Sequence, residues 1–163
     1  MKTKVVVMGV SGCGKSSIGK ALAKALDLNF FDGDDYHSQS NIEKMQSGAP
    51  LTDDDRQSWL LKLSELILEQ PNLVLACSAL KPEYRNILRR QCSELQFVYL
   101  KGDFDTIWSR MSSRKNHYFK GPSMLESQFK ALVEPSEREA IHVSLKQAPK
   151  QMIQEILAKI KAL

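Results

Sequence analysis

The fold is decided by one short stretch, Gly9-Val10-Ser11-Gly12-Cys13-Gly14-Lys15-Ser16. It has the form GxxxxGK[ST], in which glycines let consecutive backbone N–H groups point into one concavity that fits phosphate oxygens. A β-branched apolar run at residues 4–8 precedes it, and apolar residues at helical spacing (positions 18, 22, 25 and 26) follow it. The motif therefore predicts a phosphate loop between a first strand and a first helix.

This loop chemistry gives each position an expected role. The backbone of the loop and the positive end of the following helix would hold the phosphates of a nucleotide. The predicted nucleotide-binding residues are Gly9, Val10, Ser11, Gly12, Cys13, Gly14, Lys15, Ser16 and Ser17. Lys15 would reach the β- and γ-phosphates, and the Ser16 hydroxyl would be a ligand of Mg²⁺. The pattern indicates a nucleotide phosphate and leaves the reaction open.

Strand and helix patterns alternate along the whole chain of 163 residues. Short apolar runs predict five strands, at residues 4–8, 30–31, 73–77, 96–100 and 140–145. Helix starts are indicated by capping boxes at Thr52 with Asp55 and at Ser123 with Glu126, by Asp103, and by Pro82 and Pro149. The alternation predicts a single α/β domain, with an open, mostly parallel sheet covered by helices on both faces.

Two segments, residues 37–51 and 114–122, lack a clean period. Ligands of such sheets bind beyond the carboxyl ends of the strands, so these segments are candidates for substrate-binding and lid elements.

Composition excludes several classes of protein. The net charge of +4 is modest and the basic residues are spread along the chain, so we expect no nucleic-acid partner. No apolar run approaches the roughly 20 residues that span a bilayer, and we expect neither a membrane segment nor a signal peptide. Three widely spaced cysteines without a CxxC pair favour a reducing, cytoplasmic interior.

Acidic residues follow the second predicted strand, as Asp32-Gly33-Asp34. The third strand ends at Cys77-Ser78 without an aspartate, so the usual Walker B carboxylate is missing there. We therefore assign Asp32 to the outer shell of Mg²⁺ and Asp34 to the base that accepts the proton of a substrate hydroxyl. No NKxD segment is present, which argues against a GTPase.

Several further blocks, taken in order, resemble gluconokinase, a family related in fold to shikimate kinase and the nucleoside monophosphate kinases. The blocks are the phosphate loop, residues 31–34, 41–45, 48–51, 53–56 with Trp59-Leu60, 77–81 through Tyr84-Arg85, 99–103 and 114–119. The resemblance covers the chain to about Pro135. It departs from the common family pattern at Cys13 and at Tyr36, neither of which affects the expected chemistry.

The resemblance implies a three-layer P-loop kinase fold over residues 1–163, with a substrate-binding segment at about 33–56 and a mobile lid at about 112–124. It implies ATP-dependent, Mg²⁺-dependent phosphorylation of D-gluconate to 6-phospho-D-gluconate, commonly by a homodimer. Its pattern places an adenine-contacting arginine near Arg110 and a lid cation near Arg114. With Lys15 and Asp34, Arg114 completes the predicted catalytic set.

A gluconate carboxylate could not be buried without a fixed cation. Arginine's planar fork suits a carboxylate better than lysine does, so Arg56 and Arg85 are the predicted ligands. Asp34, His37 and Lys81 complete the predicted substrate-binding set.

Two other functions stay open at this point. Another small-molecule P-loop kinase, above all shikimate kinase, is the first, although Ser78-Ala79-Leu80-Lys81 stands where that family has a triple-glycine segment. The second is a non-catalytic nucleotide-binding module, which would turn ATP over slowly whatever acid is added.

Overall fold

The computed structural model describes residues 3–113 and 122–160. Strands and helices are interleaved along them as the sequence predicts. In chain order they are β1 (Lys4–Met8), α1 (Lys15–Leu26), β2 (Phe30–Asp32), a 3₁₀ turn (Gly33–Tyr36), α2 (Gln39–Gln46), α3 (Asp53–Glu69), β3 (Leu73–Ala76), α4 (Pro82–Arg89), β4 (Gln96–Lys101), α5 (Phe104–Ser112), α6 (Ser123–Ala131), β5 (Ala140–Ser144) and α7 (Pro149–Lys159). Two helices follow in succession between β2 and β3 and between β4 and β5.

The five strands form one sheet in the order β2-β3-β1-β4-β5, and every pairing between them is parallel. The predicted strand positions are confirmed, with ends that differ by one residue at β2, β3, β4 and β5. The strand β1 lies at the centre, with β2 and β3 on one side of it and β4 and β5 on the other. The strand order therefore reverses its direction at β1. The loop after β1 therefore opens into the crevice where such sheets bind their ligands.

Helices cover both faces of the sheet, which confirms the predicted three layers. On one face α3 and α4 pack against the strands, and the apolar side of α3 is buried at Trp59, Leu60, Leu63, Leu66 and Ile67. On the other face the core is built from α1, α5 and α7, with Leu125 of α6 joining it. Within the described residues, no helix is both long and apolar enough to cross a bilayer.

Two of the three predicted helix caps are confirmed. Thr52 and Asp55 form the reciprocal capping box of α3, and Asp103 caps α5 by accepting from the N–H of Thr106 at 2.8 Å. The capping box predicted at Ser123 and Glu126 is wrong. Helix α6 begins one residue earlier, with Pro122 as its N-cap, and the Glu126 N–H donates to the Pro122 carbonyl at 2.9 Å.

The segment at 37–51, predicted as irregular, contains the short helix α2. The Ser38 hydroxyl starts it by accepting from the Asn41 N–H at 3.2 Å. Asn41 is the buried residue of this helix, and its side-chain amide donates to the Asp55 carbonyl at 2.8 Å. Lys44 adds an ion pair with the Asp55 carboxylate at 2.6 Å. Polar contacts to the start of α3 thus hold α2 in place.

Candidate active site

The loop at residues 9–16 has the backbone shape that its sequence predicts. Gly14 is the N-cap of α1 and has a φ of 93°, in the left-handed region that favours glycine. Gly12 has a φ of 83°, and a Cβ there would lie 2.4 Å from Cγ of Met111, so any other residue would strain the backbone and displace Met111. Cys13 turns its thiol into the core, where burial raises its pKa. Its backbone therefore remains the part of Cys13 that can meet a phosphate.

Lys15 and Ser16 begin α1 directly beyond this loop. The Lys15 ammonium lies 3.3 Å from the Val10 carbonyl, folded back across the loop. The Ser16 hydroxyl donates to Oδ2 of Asp32 at 2.9 Å, and Oδ1 of the same carboxylate accepts from the Asp34 N–H at 3.0 Å. The structure thus brings together the two residues expected to hold Mg²⁺. A hydroxyl and a carboxylate are oxygen ligands of the type that this ion takes, so the pair fits it.

An open cleft of about 490 Å³, including its mouth, lies beside the phosphate loop. It is bounded by the loop, the 3₁₀ turn, α2, α3 and α6. The lining residues are Ser11, Lys15, Asp34, His37, Met45, Leu51, Arg56, Trp59, Ser78, Met124 and Gln128. Five predicted site residues, Ser11, Lys15, Asp34, His37 and Arg56, therefore share one cavity.

Asp34 lies where its carboxylate faces this cleft. The pKa of Asp34 is raised, first by loss of hydration and then by the negative charges of Asp32 and Asp35, while Lys15 opposes the shift. The desolvation is partial, because 76% of the side chain remains exposed in the open cleft. A carboxylate with a raised pKa is a better proton acceptor, which suits the base predicted at this position.

His37 is held between α2 and α3 as a neutral imidazole. Its ring stacks on Trp59, with centroids 4.1 Å apart, and Nδ1 lies 3.5 Å from the Asn41 amide. Burial and, after it, the charge of Arg56 together lower the pKa of His37 to about 4, against a weaker opposing effect of Asp32. Its Nε2 lies 3.7 Å from Oδ1 of Asp34. At neutral pH, His37 can therefore meet a ligand as a hydrogen-bonding group without charge.

Arg56 is positioned by α3 with part of its guanidinium still available. Its Nη1 donates to the Leu51 carbonyl at 2.7 Å and to the Tyr84 hydroxyl at 3.3 Å. The guanidinium also lies over the Tyr84 ring, 5.5 Å from the centroid. Its Nε and Nη2 have no hydrogen-bond acceptor within residues 3–113 and 122–160. One edge of the planar fork therefore remains for a carboxylate in the cleft.

The two other cations expected to bind the substrate are not among the residues that line this cleft. Lys81 forms an ion pair with Asp53 at 2.9 Å, beside the Tyr84 ring. Arg85 is 1% exposed and donates from Nε to Glu139, from Nη1 to the Ala79 carbonyl and from Nη2 to the Val133 carbonyl, at 2.8–3.0 Å. These bonds join the loop after β3 to the segment after α6, so Arg85 serves the fold in this structure.

The cations expected on the nucleotide side are described only in part. Arg110 reaches from α5 to the Leu145 carbonyl, with Nη2 at 2.7 Å, and so lies next to the loop between β5 and α7. Arg114 and most of the predicted lid at 112–124 lie outside the described residues.

The cleft also contains residues to which the sequence pattern gave no site role. Trp59 fits the apolar face of α3, yet it stacks on His37, and its indole N–H donates to the Gly33 carbonyl at 2.7 Å. Met124 and Gln128 lie four residues apart on the face of α6 that meets the cleft. A glutamine on the inward face of an amphipathic helix is the one sequence signal that could have drawn attention to this position.

Comparison with known proteins separates the possible families. A family model for shikimate kinase matches residues 11–161. The thermoresistant gluconokinase of Escherichia coli is 50% identical over 134 residues, which cover 80% of this chain and 76% of the relative. The chain belongs to the gluconokinase family.

A solved structure agrees with this family assignment. The gluconokinase of Sinorhizobium meliloti superposes with a TM-score of 0.90 at 41% identity, over 96% of this chain and 90% of that one. Shikimate kinase from Aquifex aeolicus covers 96% of this chain and 94% of its own with a TM-score of 0.65, but at 16% identity it shows a shared fold alone. The match to the shikimate kinase model is explained by that fold, and the alternative of a shikimate kinase is not favoured.

Proposed function

We propose that this gluconokinase family member transfers the γ-phosphate of ATP to D-gluconate and releases 6-phospho-D-gluconate. One observation carries the proposal. A single cleft contains Lys15 of the phosphate loop, the carboxylate of Asp34 and a partly free guanidinium at Arg56. These groups match the needs of a phosphoryl donor, a hydroxyl nucleophile and a carboxylate on the acceptor.

The chain's own residues divide the work of transfer. Asp34 accepts the proton of the attacking hydroxyl, and Lys15 leaves the Val10 carbonyl to stabilise charge on the transferred group. Ser16 and Asp32 would hold Mg²⁺, which when bound neutralises charge on the β- and γ-phosphate oxygens. Because the Asp34 N–H is bonded to Asp32, the base and the metal-side carboxylate keep a fixed relation.

The acid group of gluconate lies at the opposite end from the hydroxyl that is phosphorylated. Arg56 binds it through the free edge of the guanidinium, while Tyr84 and the Leu51 carbonyl hold the other edge. His37 contributes a neutral hydrogen-bonding group between the two ends. The neutral state matters because a second cation beside Arg56 would repel it.

On the nucleotide side we propose Arg110 as the residue against which adenine packs, since its bond to Leu145 holds it at the loop after β5. Arg114 is proposed as the lid cation on the strength of the family resemblance. That resemblance also supports the proposal of a homodimer, and the widely spaced cysteines support the proposal of a cytoplasmic location. Analytical ultracentrifugation at micromolar concentration tests the first of these.

A coupled ADP-release assay tests the activity. We expect Mg²⁺-dependent turnover with D-gluconate, and far less with shikimate, nucleoside monophosphates or shorter sugar acids. A higher kcat/KM with shikimate or with a nucleoside monophosphate would refute the substrate assignment. Slow ATP turnover that no acid stimulates would instead favour a nucleotide-binding module.

A further inference from the structure

Helix α6 meets the phosphate loop through one side chain. Oε1 of Gln128 accepts a hydrogen bond from the backbone N–H of Ser11 at 2.9 Å. The two residues lie 117 positions apart in the chain, so this is a tertiary contact between two walls of the cleft. None of the roles proposed above uses Gln128.

The bond to Ser11 fixes which way the carboxamide points. A backbone N–H can only donate, so the atom that meets it must be the oxygen of Gln128. The Nε2 group, with two N–H donors, is then the other arm of the planar carboxamide and points away from the Ser11 N–H. Within residues 3–113 and 122–160 nothing accepts a hydrogen bond from Nε2, and Gln128 lines the cleft. The geometry therefore leaves a neutral donor at the cleft wall.

The helix that carries this donor is firmly packed. Leu125 is fully buried and Met124 is 4% exposed, so both anchor α6 in the core. The Phe129 ring packs against Phe104 of α5, with centroids 5.9 Å apart. Gln128 is thus held by its helix on one side and by Ser11 on the other. A donor fixed before the ligand arrives loses little side-chain entropy on binding.

On the basis of the proposed function, we infer that Gln128 is a substrate-binding residue whose Nε2 donates to a hydroxyl oxygen of the sugar acid. Lys15, Asp34 and Arg56 are charged, and their partners are the phosphoryl group, the reacting hydroxyl and the carboxylate. The hydroxyls in the middle of the gluconate carbon chain are then left without an assigned partner. An uncharged donor suits an uncharged oxygen. Gln128 would therefore help to distinguish a polyhydroxy acid from an acid of similar length with fewer hydroxyls.

The test compares gluconate with its monodeoxy analogues, each lacking one of the hydroxyls at carbons 2 to 5. Gln128→Met keeps the length of the side chain and its helix propensity but has no N–H donor. In the wild-type enzyme one analogue should lose about 2- to 12-fold in kcat/KM, the range for a neutral hydrogen bond. Gln128→Met should lose a similar factor on gluconate and show no further loss on that analogue, with KM for ATP unchanged. Glu126→Gln, exposed on the same helix, is the control and should behave as wild type.

Equal losses on gluconate and on every deoxy analogue would overturn the inference, because Gln128 would then act only on the phosphate loop through Ser11. A rise in KM for ATP without a change for gluconate would overturn it as well. If Gln128→Met does not fold, Gln128→Asn replaces it, since the shorter amide cannot reach both Ser11 and the substrate. A wild-type enzyme that turns over ATP with another acid but not with gluconate would refute the proposed function. It would also refute gluconate as the ligand of Gln128.

Discussion

Replacing Arg56 and Arg85 by lysine should separate recognition of the acid from stability of the fold. Arg85 donates three hydrogen bonds from a side chain that is 1% exposed. A lysine ammonium at the end of a flexible stem cannot reach Ala79, Val133 and Glu139 together. With one or two buried acceptors left unpaired at about 1–3 kcal/mol each, the free energy of unfolding should fall by roughly 2–4 kcal/mol. For a chain of this size, that corresponds to a Tm lower by roughly 4–16 °C.

Arg56→Lys should leave the fold nearly intact and affect the substrate instead. It loses the bond to Leu51 at the rim of the cleft, worth about 1 kcal/mol, so Tm should change by only about 2–4 °C. The lysine keeps the charge but cannot grip a carboxylate with two parallel N–H groups. Selectivity for gluconate over glucitol, which has the hydroxyls without the carboxylate, should then shrink by about 1–3 kcal/mol, or roughly 5- to 150-fold.

Two measurements on both variants decide the matter. Thermal unfolding followed by circular dichroism gives Tm, and coupled ADP release with gluconate and glucitol gives the ratio of kcat/KM values. If Arg56→Lys reduced turnover of both substrates equally, Arg56 would serve the phosphoryl group or the fold. If Arg85→Lys kept the wild-type Tm and lost selectivity for gluconate, our assignment of Arg85 to the fold would be wrong.

Three further predictions concern the phosphate loop, the base and the neutral histidine. Lys15→Ala should nearly abolish turnover at an unchanged Tm, with about 1.4 kcal/mol of barrier for each tenfold loss; more than a tenth of wild-type activity would contradict its role. Asp34→Asn should lower kcat by about 10²–10⁴-fold with little effect on ATP binding, and a larger loss of kcat in Asp32→Asn at saturating Mg²⁺ would mean that the two roles are exchanged. The pKa of His37 is lowered to about 4 in the folded state from an ordinary 6.5, so unfolding binds a proton between these values. The contribution of His37 to the free energy of unfolding should therefore be fully present above pH 6.5. It should be lost towards pH 4, by at most about 3 kcal/mol. His37→Gln should flatten this part of the urea-unfolding profile, and an unchanged slope would rule His37 out as its source.

The sheet and the phosphate loop could be predicted from the sequence because both are local patterns. Residues 5–8 are apolar because β1 lies at the centre of the sheet, buried on both faces. Helix α2 escaped prediction because its one buried residue is Asn41, whose burial depends on a hydrogen bond to α3 rather than on an apolar face.

The site was harder to predict for a related reason. Arg56 and Arg85 lie in neighbouring blocks and are the same residue type, so sequence reasoning assigned both the same expected role. What distinguishes them is tertiary, since Glu139 and Val133 meet Arg85 from some 50 residues further along the chain. Gln128 depends in the same way on Ser11, 117 residues earlier. No pattern within a helix records such partners.

The polar attachment of α2 bears on how kinases with this sheet come to differ in their acceptors. Since α2 adds a single buried residue to the protein, its sequence can be replaced without creating a cavity in the core. The segment nevertheless carries Met45 to the cleft and supports His37 through Asn41. Selection can therefore act on this wall of the pocket while the central sheet stays the same. A graft of residues 38–50 between relatives would exchange the acceptor wall and leave the phosphate loop untouched.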